Sequence, residues 1–235
     1  MLKTYLTSDE IRKMTEAAPT LRDKVIVAFL GDTGCRVSEL LRLKTQHIDF
    51  DRRLVLIPHL KAGLRKKCPS CGKSVGRRQN FCPKCGKDIS DVTPEGSEEH
   101  TRLINVGEET LNLCREYLDK RKGNSDQLIP LTRQMVGLIM RRCAEAIGLG
   151  GKVMLNPETG KQHYVHPHNM RDSLVVDWLT LDDSATSQKA LQVHLGHKKY
   201  ETTARYQKLT PESIAGAADK VRRHRFGKED TSGNS

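Results

Sequence analysis

Leu195-Gly196-His197-Lys198-Lys199-Tyr200-Glu201-Thr202-Thr203-Ala204-Arg205-Tyr206 is the stretch on which the reading of this chain turns. A Leu-Gly break ends a helical run, a histidine follows at once, and a tyrosine comes nine residues after that histidine. Upstream lie His168-Asn169-Met170-Arg171 and, much earlier, Gly34-Cys35-Arg36-Val37-Ser38-Glu39-Leu40. Among their residues are two arginines, Arg36 and Arg171, two histidines, His168 and His197, and the closing tyrosine, Tyr206. Such a set can grip a phosphodiester, offset the charge of its transition state and attack it with a phenol.

On that ordered set, Arg, then His-x-x-Arg, then Leu-Gly-His, then Tyr, the chain resembles the tyrosine recombinases of the phage integrase family. The resemblance runs from about Leu6 to Val221, apart from one inserted segment. It implies a mainly α catalytic domain with a small antiparallel β-sheet (α+β); the chain's own departure is a zinc knuckle insertion between strands 2 and 3, read from its cysteines. It also implies transesterification of DNA, in which Tyr206 attacks a phosphodiester to give a 3′-phosphotyrosine and a free 5′-hydroxyl. In that chemistry Arg36 and Arg171 hold the non-bridging oxygens, His168 assists proton transfer from Tyr206, and His197 bonds a phosphate oxygen. Glu39, three residues after Arg36, orients its guanidinium. A phenol of pKa about 10 needs such help at neutral pH. Tyr200 is the rival nucleophile but lacks the family spacing. The family sheet also carries a lysine on the turn after its second strand, which here is assigned to Lys61, with Lys66 and Lys67 near enough to compete. That lysine either protonates the departing deoxyribose oxygen or simply contacts phosphate. No catalytic metal and no ATP is expected.

The bulk composition agrees with a polyanionic partner. The 235 residues carry a net charge of +11, an excess that points to double-stranded DNA bound through its backbone. No run of about twenty apolar residues is present, so no membrane span is expected. Met1 to Tyr5 lacks a signal-peptide apolar core, and the protein is expected to be cytoplasmic and DNA-associated.

Four of the seven cysteines form two knuckles, Cys68-Pro69-Ser70-Cys71-Gly72 and Cys82-Pro83-Lys84-Cys85-Gly86, ten residues apart. Paired Cys-Pro-x-Cys-Gly units offer four thiolates across two tight turns, as a structural tetrahedral zinc requires. Four thiolates close the coordination sphere against catalysis, and neither pair has the strand-to-helix context of a redox dithiol. Lys61 to Lys87 holds nine Lys or Arg and no acid. The finger is therefore expected to need its metal to fold and to lie on DNA through Arg65, Lys66, Lys67, Arg77 and Arg78. A finger that is solvated, or that touches another subunit, is the other reading.

Around these motifs the helices read from their caps and periodicity. Thr7 and Glu10 form a capping box before a helix that Pro19 stops. An apolar helix spans Arg22 to Leu30 and is broken by Gly31-Asp32-Thr33-Gly34, and a third covers about Arg36 to Leu43, which puts Arg36 at a helix start favourable to phosphate. Short strands are expected at His47 to Phe50, Leu54 to Pro58 and Arg102 to Val106. Helices follow at Glu108 to Tyr117 and Thr132 to Ile147, then a minor hairpin at Val153 to Leu155 and His163 to Val165. Further helices follow His168, span Ser184 to His194, and run from Pro211 to Arg223. Trp178 reads as packing. His163, His166 and His168 lie close in sequence, but only His168 has the x-x-Arg partner. Asp172-Ser173 departs from the basic or aromatic pair common after this arginine in the family.

The organisation expected is a catalytic domain over 1–226, an inserted four-cysteine zinc finger over 64–92 and a flexible tail over 227–235. The family works as a tetrameric synapse on DNA and usually has a core-binding domain upstream, so a homo-oligomer and a separate core-binding subunit are the partners the resemblance implies. Two other functions share these residues. One is a zinc-ribbon DNA-binding regulator that no longer cuts, and the other is a type IB topoisomerase, which relaxes a duplex without synapsis.

Overall fold

Helix α2 (Leu21–Thr33) carries charges only near its two ends and is apolar on every side between them, with Val25, Ile26, Val27, Phe29 and Leu30 all buried. Such a helix has no face to give to water and belongs at the centre of a domain. In the computed structural model, which describes residues 2–60, 65–76, 78–93, 99–156 and 159–196, α2 packs against α1 (Ser8–Glu16), α4 (Glu108–Lys120) and α6 (Pro167–Leu181). The N-terminal capping box is present, with the Thr7 hydroxyl accepting from the Glu10 amide and Glu10 accepting from the Thr7 amide.

Two helix boundaries differ from the sequence expectation. The break comes at the last residue of the expected Gly31–Gly34 segment: α2 runs on past Leu30 to Thr33 and ends at Gly34, whose φ of 56° is left-handed. Gly31 is kept for closeness instead, since a Cβ there would meet Ile11 Cγ2 of α1 at 2.8 Å. The next helix, α3, is a single turn, Val37–Leu40, rather than a helix to Leu43. Arg42 and Leu43 continue it with tighter bonds to the carbonyls of Glu39 and Leu40. So short a helix gives Arg36 little dipole to add to its own charge.

The sheet has strand order β1-β2-β5, from β1 (Ile48–Asp49), β2 (Leu54–Leu60) and β5 (Glu99–Asn105), all antiparallel. β2 and β5 pair over their whole length, from Leu54↔Asn105 to Leu60↔Glu99, further than the sequence suggests. Val55, Ile57 and Ile104 face the core, which fixes the register. Between those strands lies a separate small unit with the hairpin β3 (Arg65–Lys67) and β4 (Ser74–Gly76). Its core is Cys68, Val75, Cys82 and Ile89.

α5 (Arg133–Ala146) starts from Thr132, whose hydroxyl accepts from the Met135 amide. A short hairpin of β6 (Met154–Leu155) and β7 (Gln162–His163) ties down the N-terminus, because Lys3 bonds on both sides of Met154. α6 carries Pro167 in its first turn, and α7 (Ala185–Leu195) is capped by Ser184 and ends at Gly196 with φ 66°. Val175, Leu179, Leu191 and Leu195 form the core between α6 and α7, where the Trp178 indole donates to Ser187 Oγ at 2.7 Å. The helix expected at Pro211 to Arg223 and the tail at 227–235 lie outside the described residues.

Gly34 tests this geometry. An added Cβ would meet Leu174 Cδ2 at 2.7 Å and Leu195 Cδ2 at 3.1 Å, in a backbone conformation that L-residues avoid. Gly34→Ala should lower the unfolding free energy by roughly 2–4 kcal/mol, read as a fall in urea midpoint at unchanged slope. Gly148, also left-handed but with nothing within 4 Å, is the control, and its alanine variant should lose only about 1–2 kcal/mol.

Candidate active site and metal centre

Among the described residues Arg171 is the largest side chain enclosed by the fold, at 2% exposure. It leaves α6 and places its guanidinium between two helix ends. Nη1 donates to the Gly34 carbonyl at 2.7 Å, and Nη2 donates to the Leu195 carbonyl at 2.7 Å. A buried cation needs such acceptors, and the last carbonyls of a helix lack donors of their own. One side chain thereby draws together the Gly34-Cys35-Arg36 segment, the His168-x-x-Arg171 helix and the Leu195-Gly196 turn.

Arg36 sits just before α3 with its side chain 40% exposed. Glu39, itself buried, accepts the Arg36 amide at 2.9 Å and the Arg36 guanidinium at 3.1 Å. The same carboxylate takes two bonds from Arg102 of β5, at 3.1 and 2.9 Å, and Arg102 Nε donates to the His194 carbonyl at 2.7 Å. Sequence reasoning missed Arg102. The available signal was strand parity, since Arg102 shares a face with the buried Ile104 and Val106 and an arginine on an inward face requires a carboxylate. His194, beside it, donates from Nε2 to the Thr33 carbonyl at 3.0 Å and packs against Trp178.

Arg36 and His168 line one cleft of about 550 Å³, together with Cys35, Ser38, Arg133 and His166. His168 is exposed, with Nε2 3.6 Å from Asp172 Oδ1. His166 caps α6, its Nδ1 accepting from the His168 amide at 3.2 Å, and it stacks on His163 at 4.6 Å between ring centroids. Burial, then the neighbouring His163 and His168, push its pKa down from 6.5 to about 4. Cys35, buried in the lining of the cleft, is held as a thiol, burial raising its pKa to about 11. Lys61, His197, Tyr206 and the rival Tyr200 lie outside the described residues, as does Arg77.

The four knuckle cysteines converge. All their sulfurs lie within 4.8 Å of one another, with Cys68 to Cys85 at 3.6 Å and Cys71 to Cys82 at 3.5 Å. A tetrahedral zinc thiolate site, with Zn–S about 2.3 Å, sets sulfurs about 3.8 Å apart, so the donor set fits. The two knuckles repeat one turn, Gly72 N–H to the Cys68 carbonyl and Gly86 N–H to the Cys82 carbonyl, both at 2.9 Å, with both glycines left-handed. Arg65, Lys67 and Arg78 are exposed around this unit.

Lys66 requires a correction. Expected on DNA, it is 5% exposed and its ammonium donates inward to the carbonyls of Ile89 at 2.8 Å, Ser90 at 3.1 Å and Gln79 at 3.4 Å. It fastens the finger's last loop to its first strand and has no surface to offer a phosphate.

Residues 4–76 match the phage integrase family, and residues 65–89 match the zinc-ribbon domain. The chain is 25% identical over 221 residues to the tyrosine recombinase XerA of Pyrococcus horikoshii, covering 94% of this chain and 62% of that protein. It therefore spans less than two thirds of that relative's length. Among solved structures, the crystal structure of XerA recombinase aligns with a TM-score of 0.63 and 19% identity, over 94% of this chain and 66% of the other. The Tn1549 transposon integrase in complex with circular intermediate DNA aligns with a TM-score of 0.60 and 18% identity, over 94% and 68%. The fold is that of the tyrosine-recombinase catalytic domain, with a zinc ribbon inserted between the second and third strands of its sheet. No helix among the described residues is long and apolar enough to cross a membrane.

His166 gives the site a measurable pH signature. The folded ring takes its proton only near pH 4, against 6.5 for the ordinary side chain. The unfolded chain therefore binds more protons across that window, and stability falls as pH falls through it. His166→Asn, which keeps an acceptor for the cap, should flatten that acid limb in urea titrations while changing stability at pH 7 by no more than about 1 kcal/mol.

Proposed function

We propose that this chain, related in sequence and fold to the tyrosine recombinases, is the catalytic part of a site-specific DNA recombinase that works through a 3′-phosphotyrosine intermediate. The observation that carries the reading is Arg171, whose guanidinium joins the segment before Arg36, the helix bearing His168, and the turn leading to His197. The catalytic domain is assigned to 1–226, the finger to 64–92 and a tail to 227–235.

In the proposed reaction the Tyr206 oxygen attacks the phosphorus, the bond to the 5′ oxygen breaks, and that oxygen leaves with a proton. Lys61 is assigned as its donor, and His168 as the group that takes the phenolic proton. Arg36 meets the non-bridging oxygens from the open side of the cleft, while Arg171 adds its charge from the buried side, assisted by His197. A 5′-hydroxyl of a second strand then attacks the phosphotyrosine and releases the phenol, so no high-energy cofactor is consumed. Double-stranded DNA is the substrate, held in a homo-oligomeric, tetrameric synapse.

A structural zinc is assigned to Cys68, Cys71, Cys82 and Cys85, where it cross-links a unit too small to fold on its apolar contacts. The ribbon's DNA contacts are assigned to Arg65, Lys67, Arg77 and Arg78, without Lys66.

Incubation with a nicked suicide duplex should trap a covalent adduct at Tyr206. Tyr206→Phe should give none, and Arg36→Ala should slow its formation by about 10²-fold or more. Tight duplex binding with no adduct from the wild type would identify a silent regulator instead, and relaxation of a plasmid without strand exchange would identify a topoisomerase.

The purified protein should carry about one zinc per chain. Replacing Arg65, Lys67 and Arg78 together by alanine should reduce the slope of log K against log salt by about 2–3. Lys66→Met should instead weaken zinc retention and leave that slope within about one unit.

A further inference from the structure

Glu39 is a buried carboxylate beside the cationic cleft, and its charge opposes the function proposed above. Paired with Arg36 alone it would cancel the guanidinium that the phosphate has to meet. The second pair, Arg102 to Glu39, changes the balance: two guanidiniums share one carboxylate, whose four acceptor positions are filled by the two arginines. Among the described residues the cluster therefore holds two guanidiniums to one carboxylate, and Arg36 is the exposed one of the two.

Arg102 has a second attachment. Its Nε donates to the His194 carbonyl in the last turn of α7, where unpaired carbonyls concentrate negative partial charge. Gly196 lies directly on it: a Cβ there would stand 3.3 Å from Arg102 Nη1 and 3.4 Å from Cδ. β5 is also the strand by which the chain returns from the ribbon, and Arg102 stands opposite Ile57, three pairs in from Leu60↔Glu99.

We propose that Arg102 is a positioning residue for catalysis, one that orients Arg36 through Glu39 and fixes the Leu195-Gly196 turn that delivers His197. The proposal rests on the recombinase reading. Its chemistry is specific to a guanidinium, because three nitrogens on one plane make a parallel pair to a carboxylate and a third bond to a carbonyl. An ammonium retains the charge but cannot span those acceptors.

The experiment uses the full chain with zinc bound. In Arg102→Lys, the first-order rate of adduct formation at saturating nicked duplex should fall by about tenfold or more, while the duplex Kd moves by less than about threefold. Arg102→Gln should fall further, and adding Glu39→Gln to it should recover part of the loss, since no buried carboxylate is then left to neutralise Arg36. The Arg36 Nε–Hε resonance in ¹⁵N spectra should shift in folded Arg102→Lys. A wild-type rate in Arg102→Lys, or a loss that appears only in Kd, overturns the proposal. So does a rate loss in Arg102→Gln that Glu39→Gln leaves unrelieved. Should the wild type itself form no adduct, the recombinase reading fails separately. The Arg36 resonance then decides alone, a shift upholding the positioning role and an unshifted line overturning it.

Discussion

A single buried guanidinium, that of Arg171, meets two helix ends, and the rest of the site is arranged around it. A cation out of water is costly unless its donors are matched. The terminal carbonyls of α2 and α7 have the complementary need, because no turn follows to donate to them. Arg171 satisfies both by bonding the Gly34 and Leu195 carbonyls. The left-handed glycines Gly34 and Gly196 make this possible, since each turns the chain sharply and ends its helix there. The apolar contacts of α2 bring α6 against it, but it is this bond pair that brings three sequence-distant segments into a fixed relation.

The electrostatics are layered outward from that point. Arg171 is enclosed, Arg102 nearly so, and Arg36 reaches solvent. One carboxylate, Glu39, serves two of these arginines, so among the described residues guanidiniums outnumber carboxylates in the cluster. His166 stays neutral beside it because burial and two neighbouring histidines disfavour its protonated form, and the neutral ring retains the lone pair that caps α6. Among the described residues, every buried side-chain nitrogen and oxygen has a partner, consistent with a polar site built to hold its shape.

What can be read from the sequence is what depends on near neighbours. The caps at Thr7, Thr132 and Ser184 are local hydrogen bonds whose partners lie within three residues, so the residue types announce them. The cysteine knuckles are likewise local turns. The spacing of His168 and Arg171 tells that they share a helix, but not that Arg171 points into the protein while His168 faces outward. Misreadings arise where tertiary contact decides. Gly31 looks like the start of a break that comes only at Gly34, because its packing against Ile11 is invisible in one dimension. Lys66 reads as surface charge because lysine usually is, yet three carbonyls from distant loops enclose its ammonium. Arg102 carries only the faint parity of its strand, and its partner Glu39 is 63 residues away.

The position of the ribbon follows from the same sheet. An insertion is tolerated where it does not disturb register, and β2 and β5 stay paired from Leu54↔Asn105 to Leu60↔Glu99 on either side of it. That register is held by Val55, Ile57 and Ile104 in the core, since a slip by one residue would turn each of them outward. Loop closure depends only logarithmically on length, so extending a tight turn into some forty residues costs about 2–3 kcal/mol. The larger cost is ordering the inserted chain, and its core of Cys68, Val75, Cys82 and Ile89 is too small to offset that alone. Four convergent sulfurs and the inward ammonium of Lys66 supply the cross-links that such a core lacks. The sheet thereby carries a second, strongly basic unit at its open end, while Arg102, three pairs from that end, keeps its hold on Glu39.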